Sequence, residues 1–114
     1  MNQLALSYLY LAFAIVSEVI GTTFLQKSEQ FSRLVPTLLV GVFYAASFFL
    51  LSLALKNISL GVAYAIWGGV GIVLTAIIGV VVFRQTLDAG ALVGIGLIVA
   101  GVIVANVFSN TLSH

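Results

Sequence analysis

A chain of 114 residues that is 62% hydrophobic and only 6% charged is not a soluble domain, which would carry about 25% charge. There is no cysteine and the one histidine is His114, which excludes disulfides, thiolate metal sites and histidine metal clusters; no cofactor is expected. A net charge of +1 without a basic stripe argues against nucleic acid as a partner. The absence of any nucleophile–base pair or phosphate loop argues against an enzyme.

The first apolar run extends from about residue 4 to residue 26 and contains one charged side chain, Glu18. A spanning helix needs roughly 20 apolar residues, so this run is long enough to cross a bilayer. Its Met-Asn-Gln start lacks the positive region of a signal peptide, and the segment is expected to stay in the mature protein. Tyr8 and Tyr10 read as interface anchors. Glu18 lies about 5 Å from the centre of the span, counted at roughly 1.5 Å per residue. A carboxylate at that depth is costly, and such groups face a bundle interior or a watery cavity. Steps of three and four from Glu18 reach Leu11, Ala14, Ile15, Gly21 and Thr22. The small members of this face leave room beside the acid, and Thr22 can donate a hydrogen bond to it. No Lys, Arg or His occurs in any of the apolar runs, so a structural ion pair does not account for Glu18. Binding of a proton or a cation does. If both compete for the one carboxylate, their movements are coupled.

The polar turn Lys27 to Arg33 precedes a second run, 34–55, with Pro36 near its start, where a missing N–H does little harm. On it Tyr44, Ser47 and Phe48 share a face. The turn Lys56 to Gly61 leads into a third run, 62–83, which carries Tyr64 and Trp67 three apart. Aromatic faces attract large, weakly hydrated cations. The plainer reading is that these rings are anchors or packing, though Trp67, roughly 7 Å from the middle of its span, is deep for a headgroup belt. Ser47 has its own helix backbone as an alternative partner. Gly68, Gly69 and Gly71 weaken the helix next to Trp67 and suit either a hinge or close packing. After Arg84 to Ala89 comes the fourth run, 90–108, with Gly90, Gly94, Gly101 and Ala105, and then the polar tail Ser109 to His114. Its small residues suit a dimer seam or packing within one subunit.

The segments lack the alternation of a barrel, so the expected fold is all-α: one domain of four transmembrane helices. Four helices are too few to enclose a passage and its walls, which favours a second copy around the acid. Lys27, Arg33 and Arg84 would fall on one side and Lys56 with the terminal amine on the other. So small a bias leaves both a fixed orientation and mixed insertion open.

Several stretches together resemble the small multidrug resistance transporters over nearly the whole chain. They are Ser17-Glu18-Val19-Ile20-Gly21-Thr22-Thr23, Tyr44-Ala45-Ala46-Ser47-Phe48, Gly61 through Gly71, and Gly94 to Gly101. The resemblance implies an antiparallel homodimer of dual-topology subunits in a bacterial inner membrane, with the site at the dimer interface. It implies that Glu18 of both subunits binds protons or a hydrophobic cation, driving drug export by proton antiport. Carried over by position, Tyr44, Ser47, Tyr64 and Trp67 would line the pocket, Gly69 and Gly71 would form the kink, and Gly94 and Gly101 the seam. Guanidinium exporters of this family usually have Trp where this chain has Gly21, so the run resembles the quaternary-ammonium branch. Ser59 and Gly90 stand where many relatives have Pro, and Gly68 where Ser or Ala is frequent. The Gly68-Gly69 pair is also similar to polyamine-exporting relatives that pair with a paralogue. A guanidinium or polyamine exporter and a passive proton-conducting or structural subunit are the competing readings.

Overall fold

The computed structural model describes residues 2–108, and all its regular elements are α-helices. They are α1 (Gln3–Lys27), α2 (Leu34–Ala54), α3 (Leu60–Val81) and α4 (Ala89–Phe108). Each is long and apolar enough to cross a membrane. Met1 and the tail Ser109 to His114 lie outside the described residues. The chain divides into two compact units, one helical hairpin each, with the division between Ile58 and Ser59.

In the first hairpin α1 and α2 pack closely. The buried residues of α1 include Ser7, Leu11, Ala14 and Gly21, and those of α2 are Val40, Ser47, Leu51 and Ala54. Steps of three, four and seven keep one stripe inward on each helix, the spacing of knobs-into-holes packing. Lipid is as apolar as leucine, so this contact is held by close fit and interhelical hydrogen bonds rather than by exclusion of water. Phe24 stacks on Phe43 with ring centroids 6.0 Å apart. At the other end Asn57 Nδ2 donates to the buried Ser7 Oγ over 3.0 Å. Asn2 caps the start of α1, its side chain accepting from Ala5 N at 2.7 Å, a contact of a kind worth about 1 kcal/mol.

The turn joining α1 to α2 is unusual. Glu29, Gln30 and Phe31 all have left-handed backbones, with φ of 51°, 63° and 66°. Each such non-glycine residue costs roughly 1 kcal/mol. The buried Ser28 offsets part of this. Its hydroxyl donates to Leu25 O and accepts from Phe31 N, and its carbonyl accepts from Ser32 N and Arg33 N.

The second hairpin is looser. Ser59 caps α3, its side chain accepting from Val62 N. Asp88 Oδ1 accepts from Ala91 N at 2.8 Å at the start of α4. Beyond α3 the backbone turns at Arg84 (φ 55°) and Gln85 N reaches back to Gly79 O at 2.9 Å. A Cβ on Gly79 would come within 2.6 Å of the Gln85 side-chain oxygen. Helix α4 has no buried residue.

Candidate functional site

Glu18 is half-buried in the middle of α1. Thr22, one turn later, donates from Oγ1 to Glu18 Oε1 over 2.8 Å. The same Oγ1 lies 2.8 Å from the Tyr44 hydroxyl of α2. Three oxygens from two helices thus form a line ending on the carboxylate. The Tyr44 ring reaches this position because Gly21 has no side chain: a Cβ there would fall 2.8 Å and 2.9 Å from ring carbons of Tyr44.

Ser47, one turn further along α2, is only 2% exposed and donates to the Ala14 carbonyl over 2.8 Å. In an α-helix that carbonyl also accepts from the N–H four residues on, which is that of Glu18. The hydroxyl is therefore engaged with the α1 backbone, not with its own helix. Leu11, Ala14 and Ile15 are fully buried. Phe48 shares the α2 face counted from the sequence yet is 66% exposed. The first hairpin thus links Glu18, Thr22 and Tyr44, sets Ser47 against the α1 backbone one turn before Glu18, and buries Leu11, Ala14 and Ile15.

In the second hairpin Tyr64 is exposed and Trp67 half-buried, their ring centroids 6.5 Å apart and the planes tilted by 36°. Helix α3 continues unbroken through Gly68, Gly69 and Gly71, and no glycine among the described residues has positive φ. The three glycines face different surroundings. A Cβ on Gly69 would lie 3.1 Å from Val102 of α4, one on Gly71 would lie 3.6 Å from Trp67, and one on Gly68 would meet nothing within 4 Å. Gly94 and Gly101 of α4 likewise face open space. An apolar cleft of about 320 Å³ lies between α3 and α4, lined by Ile66, Gly69, Val73, Val99 and Val102 among others.

Sequence counting did not foresee the link from Thr22 to Tyr44, the α1 carbonyl that takes Ser47, or the Asn57 clasp on Ser7. Spacing makes Gly21 a small neighbour of Glu18, but the ring it admits comes from another helix.

The model of the family described as Small Multidrug Resistance protein matches residues 6–98. The chain belongs to the small multidrug resistance family. It is 47% identical over 107 residues to the quaternary ammonium compound-resistance protein QacE of Escherichia coli, covering 94% of this chain and 97% of that one. It is 48% identical over 107 residues to the multidrug transporter EmrE of Escherichia coli K12, with the same coverage. QacF of Klebsiella aerogenes, also a quaternary ammonium compound-resistance protein, is 47% identical over 108 residues, covering 95% of this chain and 98% of its own. These relatives, with four helices able to span a membrane, make the chain a multi-pass membrane protein of a transporter family.

Proposed function

We propose that this protein exports lipophilic or quaternary ammonium cations from bacteria across the inner membrane in exchange for protons, with proton and cation competing for Glu18. The observation that carries the reading is the half-buried carboxylate in the middle of α1, with a hydroxyl as its hydrogen-bond partner and no basic residue in any spanning run. Such a group can carry a proton or lie against a cation, and one occupant excludes the other. The relatives, a quaternary ammonium compound-resistance protein and a multidrug transporter, favour a multidrug cation. Large ammonium and phosphonium ions are weakly hydrated and bind aromatic faces. The tilted pair Tyr64 and Trp67 offers such faces on α3.

Exchange follows if the empty, unprotonated site rarely changes sides. Protons arriving from outside displace the cation, and a cation from inside displaces protons. Gly68, Gly69 and Gly71 supply the compliance for the switch, because glycine weakens a helix interior by roughly 1 kcal/mol per residue. The working unit is a homodimer of oppositely inserted copies, with Gly94 and Gly101 at its seam. That reading is supported by α4, which buries nothing within its own chain, and by the open space over both glycines.

The test is tetraphenylphosphonium binding to purified protein across pH. Affinity is expected to fall up to tenfold per unit on the acid side for each proton displaced, and protons should be released on binding. Glu18→Gln should abolish the release. Release unchanged in that variant would remove Glu18 from the mechanism. A proton leak in liposomes without any cation would instead favour a passive conductor. Transport of guanidinium or spermidine in preference to quaternary ammonium would place the chain with exporters of those cations.

A further inference from the structure

We propose that Gly21 is a positioning residue for the competition at Glu18: by leaving a notch in α1 it seats the Tyr44 ring so that the phenol, through Thr22, fixes how the carboxylate is hydrogen-bonded. The inference rests on the competition reading above and adds the device that biases it.

Thr22 Oγ1 lies 2.8 Å from both Glu18 Oε1 and the Tyr44 hydroxyl, and it has one proton to give. When Glu18 is ionised, that proton goes to the carboxylate, which can only accept. The second contact must then be made by the phenol donating to Thr22. Two protons serve two links, and the chain runs from α2 to the negative charge with none left over. Donors in series polarise one another, so the phenol strengthens the Thr22 bond to the carboxylate. A proton on Glu18 can sit on Oε2 and leave Oε1 accepting from Thr22 as before, but a neutral carboxyl oxygen is the weaker acceptor. The two donated protons therefore favour the ionised acid, the state that receives a cation.

Gly21 makes the line possible. A Cβ at this position would lie 2.8 Å and 2.9 Å from two carbons of the Tyr44 ring and 3.3 Å from Phe43 Cβ. The ring would have to move, carrying with it a phenol oxygen whose hydrogen bond belongs within about 2.5–3.0 Å. Few other groups bear on the site from these two helices. Glu18 and Lys27 are the only charged residues of α1, and α2 has none. Lys27 is exposed at the end of α1, nine residues from Glu18, and Tyr8 and Tyr10 lie more than two turns before it.

Tetraphenylphosphonium binding measured from pH 5 to 9 on wild type, Gly21→Ala, Tyr44→Phe and the double variant decides the matter. Tyr44→Phe should move the midpoint of the pH dependence upward by roughly 0.1 to 0.6 unit, because Thr22 keeps its bond to the carboxylate and loses only the polarisation that the phenol lends it. Gly21→Ala should move it in the same direction, and the double variant no further than the larger single. A Gly21→Ala protein that binds more weakly by one factor at every pH, with its midpoint unmoved, overturns the proposal. So do midpoint shifts that add. If Gly21→Ala does not fold, restoration of folding by Tyr44→Ala, which removes the ring, supports the notch; no restoration overturns it. A wild type without pH dependence would defeat the competition reading itself, whereas a pH-dependent wild type with unmoved variants defeats only the role of Gly21.

Discussion

The two hairpins of this protein are made of almost the same material and are used differently. In the first, α1 and α2 are tied by Ser47 to Ala14, Thr22 to Tyr44 and Asn57 to Ser7, and close over buried apolar residues. In the second, α3 touches α4 closely at Gly69 and Val102, while α4 buries nothing and two of its glycines face open space. In water an exposed apolar helix would be a defect; in lipid it costs little, so exposure there carries no penalty that would close the second hairpin. What differs is the polar content. An acid in the membrane needs fixed donors, and the hairpin that holds it is the one built with interhelical hydrogen bonds. The hairpin with no acid inside its helices is left free to present small residues outward.

The sharpest way to break this contrast is Gly101→Leu. Within one chain a Cβ at this position meets nothing within 4 Å, so helicity and the stability of the hairpin should change little. On the dimer reading it enters a seam twice, once from each copy. Overpacking costs about 1–3 kcal/mol per site, so association should weaken by at least about tenfold, read by energy transfer between labelled subunits in micelles. Unaltered association would return α4 to the role of a lipid-facing helix. The second contrast is internal to α3. Gly69→Ala places a methyl 3.1 Å from the Val102 side chain, which must give by a few tenths of an ångström, whereas Gly68→Ala enters open space. The first should destabilise by about 1–2 kcal/mol in a denaturation series; the second should be neutral or slightly stabilising, since alanine is the better helix former. Equal effects would show that α3 and α4 do not meet at Gly69.

The four helices were legible because seven charged residues, six of them in loops or at run ends, punctuate runs of bilayer length. The expected and observed ends differ by one or two residues where local capping decides. Helix α3 begins at Leu60, not Val62, because Ser59 caps it, and ends at Val81, not Phe83, where the backbone turns toward Arg84. The faces were harder to read. A helix apolar all round carries little signal of which side is inward, so Tyr44, Ser47 and Phe48 could be grouped but not sorted. One reaches Thr22, one is buried on an α1 carbonyl and one is exposed. The partner of each is set by the register of α1 on α2, which lies in long-range packing rather than in spacing along one helix. Thr22 beside Glu18 was legible for the opposite reason, since a separation of four residues fixes it within a single helix.

The smallest effects come from the two serines that tie the first hairpin, and their order tests how burial sets the value of a hydrogen bond. Ser47 is 2% exposed and its acceptor is a main-chain carbonyl already used by the helix, so Ser47→Ala leaves no unpaired group on α1. The loss is then only the interhelical bond, about 0.6 kcal/mol on average and at most about 1.7 in a membrane helix pair. Ser7 is as deeply buried, but its partner Asn57 is exposed in the turn after α2 and can exchange the serine for water or a headgroup. Ser7→Ala should therefore cost less, a few tenths of a kcal/mol. A double-mutant cycle of Ser7→Ala with Asn57→Ala should give a coupling smaller than the full effect of Ser47→Ala in the same unfolding assay. The reverse order would mean that the turn is fixed by the Asn57 clasp more firmly than its exposure allows, and that the hairpin is closed from that end rather than from the contacts around Glu18.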